Sequence, residues 1–200
     1  MKDNNKMLET FQQKISLEKF LTDGKNFEIQ MRSDFISYPE FLKYFRDLET
    51  LTRHNLIIGI NFTYGWMPTI FDFRSKNFNE ALVILNKAKK DIIPTVEDLT
   101  LLKGLFNNSL VGTSKVLHFI NPNVFAIWDS RVYRYLTGKE SHDYRIGNSN
   151  TYLDYLEFCD YLTKQKEFNM IYKSVIKKVG YSMTPFRVVE LIMYSNGARQ

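Results

Sequence analysis

Cysteine is almost missing from this 200-residue chain, which carries Cys159 alone. A single thiol excludes an internal disulfide, a cysteine-rich zinc site and an iron–sulfur cluster held by four thiolates. Histidine is nearly as scarce, with His54, His118 and His142 the whole supply. A protein-held metal is therefore not expected, and nothing else in the composition calls for a diffusible cofactor. With 5 Pro and 9 Gly there is no linker rich in Pro, Gly or Ser, and no repeat or low-complexity tract appears. No domain boundary is announced, and one compact domain over residues 1–200 is the expectation. No run approaches the roughly 18 apolar residues of a bilayer-spanning helix, and the N-terminus leads into no signal-like hydrophobic stretch. The expected protein is soluble, cytoplasmic, monomeric and without a membrane partner.

What is abundant is apolar and aromatic surface, 44% and 15% of the residues. That suffices for one sizeable core, or for two small lobes sharing a groove. The formal charge of +5 and pI near 9.1 favour a polyanionic partner such as DNA, although Lys-rich proteins that bind nothing acidic share the same balance. The chain reads as all-α. Phe41, Leu42, Phe45, Leu48 and Leu51 recur at helical spacing after Pro39, which predicts a helix over 39–53 with the proline in its first turn. Asn77 and Glu80 form a capping-box pattern before a helix over 78–90, and Thr95 with Asp98 repeats it before a helix over 96–107. Leu153, Leu156, Cys159, Leu162, Ile171, Val175 and Val179 continue the period, with Gly180 a C-terminal stop and Thr184–Pro185 opening a last helix. Leu56–Tyr64 is the one segment whose β-branched residues suit a strand, and the sequence leaves it undecided.

The chemistry-bearing stretch runs from Leu110 to Thr137. A short connection ending in Val111-Gly112-Thr113 joins the 96–107 helix to one expected to begin near Ser114. Glycine permits close backbone approach there, and the first-turn amides of the following helix could hold a phosphate, so Val111, Gly112, Thr113 and Ser114 are candidate DNA contacts. An ordinary helical hairpin explains the turn equally well. Lys115 falls in the first turn of that helix, where the macrodipole disfavours a cation. Asp129 precedes Ser130-Arg131-Val132-Tyr133-Arg134 and suits an N-cap. Capping accounts for it structurally, yet a carboxylate fixed at a helix N-terminus can also stabilise an oxocarbenium-like sugar or activate water.

The run Leu110-Val111-Gly112-Thr113-Ser114-Lys115, followed by Trp128-Asp129-Ser130-Arg131-Val132-Tyr133-Arg134, resembles the helix-hairpin-helix base-excision DNA glycosylases, the superfamily of 8-oxoguanine DNA glycosylase and endonuclease III. The family pattern is Leu-Pro-Gly-Val-Gly-x-Lys, a helix, then Val-Asp-x-His-Val-x-Arg. Gly112, Lys115, Asp129, Val132 and Arg134 match it. The first glycine and the proline of the hairpin are missing, one extra residue separates Gly112 from Lys115, and Arg131 replaces the histidine. The Lys-to-Asp interval is also shorter than is usual, which makes this a divergent member.

The resemblance implies two helical lobes around a groove, with the hairpin and catalytic segment at about 96–137. It implies base flipping and cleavage of an N-glycosidic bond, with Asp129 stabilising the developing cation and Lys115 attacking the sugar C1′ in a lyase-competent variant. Tyr64, Trp66 and Met67, in the turn-like run Tyr64-Gly65-Trp66-Met67-Pro68-Thr69, are candidate base-pocket residues together with His118 and Trp128. Arg131 and Arg134 are candidate phosphate contacts, joined by Arg145, Lys177 and Lys178. The departures from housekeeping members extend the expected substrates from damaged bases to the hypermodified bases of viral DNA, an antiviral role. A non-catalytic DNA-binding hairpin module is the alternative.

Overall fold

The structure is a computed structural model that describes residues 4–29, 33–67, 69–73 and 76–198, with residues 4–8 described by their backbone alone. Pro68 lies outside the described residues. Among those described there are twelve helices and no strand. They fall into two compact units, Arg32–Phe125 and Met1–Met31 with Ala126–Gln200.

The unit Arg32–Phe125 contains α3 (Ser33–Arg46), α4 (Arg53–Trp66), α5 (Phe78–Ala88), α6 (Val96–Leu105) and α7 (Leu110–Ile120). The 39–53 expectation is corrected at both ends: α3 starts at Ser33, leaving Pro39 inside the helix, and stops at Arg46. Phe35, Tyr38 and Phe45 are buried along it, so the apolar stripe begins upstream of the proline. The stop follows from a second start, because Thr52 and Asn55 form a reciprocal capping box that opens α4. Leu51 lies in the connection, where the Asn86 side chain accepts from its N–H and donates to its carbonyl at 2.8 and 3.0 Å. The undecided 56–64 segment is helix throughout, with Leu56, Gly59, Ile60, Thr63 and Tyr64 buried at helical spacing. Gly59 is needed there because a Cβ would collide with the Phe45 ring.

Asn77 occupies the N-cap of α5 without a side-chain cap bond, so the predicted box is not formed, and the helix ends at Ala88. The Thr95–Asp98 box is formed as expected, and α6 ends at Leu105. Phe41 stacks on Phe62 at 4.3 Å, and Phe119 meets both rings edge-on, closing the core against α7.

The other unit gathers α1 (Asn4–Lys14), α2 (Leu17–Lys25), α8 (Ser130–Thr137), α9 (Asp143–Ile146), α10 (Ser149–Thr163), α11 (Phe168–Val179) and α12 (Pro185–Asn196). Here α10 packs on α1 and α12, and α12 covers α8. Gly180 ends α11 with φ +86°, and Thr184 caps α12 with Pro185 at its first position, both as the sequence predicts. Close to α10, the Arg187–Glu190 ion pair is sealed into the core, its side chains 5% and 2% exposed. Burial pushes the Cys159 thiol far above its ordinary value, and Tyr155 and Glu190 are among its neighbours. That thiol is a core group.

Candidate active site

Asp129 follows a buried non-helical run, Ala126-Ile127-Trp128. Within the Asp129 unit this backbone is held by side chains from α10: Tyr152 donates to the Ala126 carbonyl at 3.3 Å and Tyr155 to that of Ile127 at 3.1 Å. Trp128 is fully buried and its indole N–H donates to the Ile146 carbonyl at 2.9 Å. Trp128, a base-pocket candidate, is thus a core residue; its ring lies 5.1 Å from that of Tyr155. What emerges at the end is Asp129 itself, half-buried and in extended backbone at the N-cap of α8. One carboxylate oxygen, Oδ1, accepts from the Arg131 and Val132 amides, both at 2.9 Å. Among the described residues, Oδ2 receives no hydrogen bond.

Two neighbouring cations are committed to structure. Arg131 stacks its guanidinium on Tyr194 at 4.5 Å. Arg134 donates to the Gly197 carbonyl and to Ser141 Oγ, both at 3.1 Å. Lys178 likewise donates to the Phe27 carbonyl at 2.6 Å, whereas Lys177 is exposed.

The hairpin lies in the other unit and differs from the expected one. Its turn is Asn107-Asn108, both in left-handed backbone with φ 56° and 54°, a conformation asparagine tolerates better than other side-chain-bearing residues. Ser109 then caps α7, accepting from the Gly112 amide at 3.1 Å. The second helix consequently begins four residues before Ser114, at Leu110. Gly112, Thr113 and Ser114 are inside α7 and buried, with the two hydroxyls donating to the Ser109 and Val111 carbonyls at 2.8 Å. Among the described residues, the amides at this end that receive no acceptor are those of Leu110 and the half-buried Val111. The sequence missed the turn because it sought glycine; the Asn-Asn pair was the available signal. Asn107 also clasps the segment before α5, accepting from the Asp72 N–H and donating to the Ile70 carbonyl.

Gly112 is a glycine for a packing reason. A Cβ there would meet the Tyr64 hydroxyl and lie 2.8 Å from Cζ of the same ring. Tyr64 is buried, donates to the Phe106 carbonyl at 2.7 Å, and is pushed well above the usual phenol range by burial. Trp66 is not in a turn but is the last residue of α4, and Met67, its C-cap, lies in the turn that ends the helix. Lys115 is at the sixth position of α7, past the first turn, and its ammonium stands 5.1 Å over the Trp66 ring. Trp66 is itself anchored by an N–H bond to the Asp34 carbonyl and by an edge contact with Phe119. His118, a base-pocket candidate, is fully buried between the Tyr38 hydroxyl at 2.8 Å and the Phe125 carbonyl at 2.6 Å, as a hydrogen-bonded core histidine.

The structure thus brings Lys115 and Trp66 together in one unit and sets Asp129 with Arg131, Arg134 and Trp128 in the other. Among the described residues no group of three His, Cys, Asp or Glu is placed to hold a metal ion, and no helix is long and apolar enough to cross a membrane. No protein-family model, curated protein or solved structure matches the chain. The glycosylase resemblance therefore rests on the residues quoted for it.

Proposed function

We propose that the chain is a DNA glycosylase whose catalytic carboxylate is Asp129. The observation that carries this reading is the division of labour in that side chain: Oδ1 is tied to two amides of α8, and Oδ2 is left without a partner among the described residues. A cap needs only one oxygen, so the other remains available to face a developing sugar cation. Its carrier is fixed by Tyr152, Tyr155 and Trp128, which restricts the carboxylate to one position. Such a preorganised charge is worth more than a mobile one because no reorganisation is needed when the cation forms.

In the reaction the bond between the base nitrogen and C1′ breaks, and the base leaves with the electron pair and takes up a proton. Water adds to C1′, giving an abasic site. A lyase-competent enzyme would instead need an amine to add to C1′, with strand cleavage following from the imine; Lys115, resting on Trp66 in the other unit, has that role from the resemblance alone. The Val111 amide and the positive charge of the chain support a phosphate backbone as partner. The non-catalytic hairpin module makes no demand on Oδ2.

Base release from a panel of damaged, deaminated and hypermodified viral DNAs, scored by alkaline cleavage at abasic sites, tests the proposal. Asp129→Asn keeps an oxygen for the cap and removes the charge. Release by the unaltered chain that falls by roughly 10²-fold or more in the variant supports it. Salt-sensitive DNA binding without release from any substrate replaces it with the binding module.

A further inference from the structure

In the Asp129 unit the aromatic side chains are buried or half-buried among the described residues, with one exception. Tyr144, on the short helix α9, is 72% exposed. It is not a solitary surface ring. His142, also exposed, lies parallel to it, with ring centroids 5.9 Å apart and planes inclined by 5°, and the Arg145 guanidinium stands 5.3 Å from the Tyr144 centroid. An exposed π-stack with a guanidinium beside it is the arrangement that takes up unpaired nucleobases, since every base offers a face to stack.

The backbone beneath the rings is braced from several directions. Arg134 holds Ser141, Arg145 donates to the Glu140 carbonyl at 3.1 Å, and the His142 carbonyl accepts from the Arg145 and Ile146 amides. Ile146 is also the acceptor for the indole of Trp128, the residue that precedes Asp129. The rings and the carboxylate are thus mounted on segments of one unit joined by a direct hydrogen bond. Charge argues for a base over a phosphate: Glu140 and Asp143 lie between Lys139 and Arg145, so the loop from 139 to 145 balances to no net charge with His142 neutral. Such a loop has little electrostatic hold on a backbone, whereas its rings offer stacking area.

We infer that His142 and Tyr144, steadied by Arg145, form a stacking platform for an unpaired nucleobase of the DNA strand on which Asp129 acts. The inference rests on the glycosylase reading for its partner, but stacking is measurable without chemistry. The experiment compares the full-length chain with its Tyr144→Ala, Tyr144→Phe and His142→Ala forms. Binding is followed by anisotropy on single-stranded oligonucleotides and on duplexes with an unpaired 2-aminopurine, whose fluorescence quenching reports stacking. Tyr144→Ala is expected to weaken binding roughly tenfold and to relieve the quenching, Tyr144→Phe to stay within about twofold, and His142→Ala to fall between. The dependence of affinity on salt should not change. Unaltered binding and quenching in Tyr144→Ala overturns the platform, as does a Phe variant as weak as the Ala variant or a shallower salt slope, which would mean a phosphate contact. No DNA binding by the unaltered chain also overturns it. Base release assayed in parallel keeps the two ideas apart. Release with unaltered Tyr144→Ala binding removes the platform alone, and stacking without release removes the glycosylase alone.

Discussion

Gly112→Ala separates two explanations of the one hairpin glycine that matches the glycosylase pattern. If Gly112 existed to let DNA approach the backbone, alanine would stabilise α7 by about 1 kcal/mol through helix propensity and would weaken DNA binding. The structure argues the reverse. The new methyl meets the Tyr64 hydroxyl and lies 2.8 and 3.3 Å from Cζ and Cε2 of that ring. Tyr64 has little freedom to yield, because its ring is 4.5 Å from Phe71 and its hydroxyl is bonded to Phe106. Overpacking of this kind costs about 1–3 kcal/mol, and displacing the hydroxyl takes the buried Tyr64 O–H off the Phe106 carbonyl, which keeps the Ser109 N–H, at a further cost of about 1–3 kcal/mol for the unpaired donor. Against the propensity gain the net is a loss of about 3 kcal/mol, or a fall in Tm of about 6–12 °C for a chain of this size. Urea and thermal unfolding measure it. Tyr64→Phe frees space where the methyl must go, so adding Gly112→Ala to it should cost at least about 1 kcal/mol less than the same change alone. A Tm above that of the unaltered chain, or costs that simply add, would refute the packing explanation.

Further expectations follow from the same geometry. Asp129→Ala should destabilise by about 1 kcal/mol and Asp129→Asn by only a few tenths, since the amides of Arg131 and Val132 need an acceptor; equal losses in urea unfolding would show that Oδ1 is not a working cap. Removing one partner of the sealed ion pair, as in Glu190→Gln, should cost about 3–5 kcal/mol, while Arg187→Met with Glu190→Leu costs much less; the opposite order in equilibrium unfolding would contradict the buried pairing. Asp154, buried on α10, is pushed up to about 6 by burial first and by the like charge of Glu157 second. Because its folded value lies above its unfolded one, the protein should lose stability as pH rises from about 4 through about 6, and Asp154→Asn should flatten that slope. An unchanged slope would show that Asp154 does not carry it.

Local signals were the legible ones. Caps act over three or four residues, so the Thr95–Asp98 box, Asp129 at the head of α8, Gly180 after α11 and Thr184–Pro185 before α12 could all be read from adjacent letters. Helical character was accessible through apolar spacing over much of the chain; it stayed undecided at 56–64, where β-branched residues obscured the burial of Leu56, Ile60 and Tyr64, and α1, α2 and the start of α3 went unread. Sequence alone thus determined the all-helical class, the starts of α5, α6, α8 and α12 and the position of the carboxylate. Tertiary structure decided what each of those residues touches. The pairing of Gly112 with Tyr64 spans 48 positions, Lys115 reaches its Trp66 ring from 49 positions away, and helices α1 and α2 join Ala126–Gln200. Such contacts arise because distant apolar faces must cover one another, and that requirement leaves no mark in the neighbouring letters of the chain.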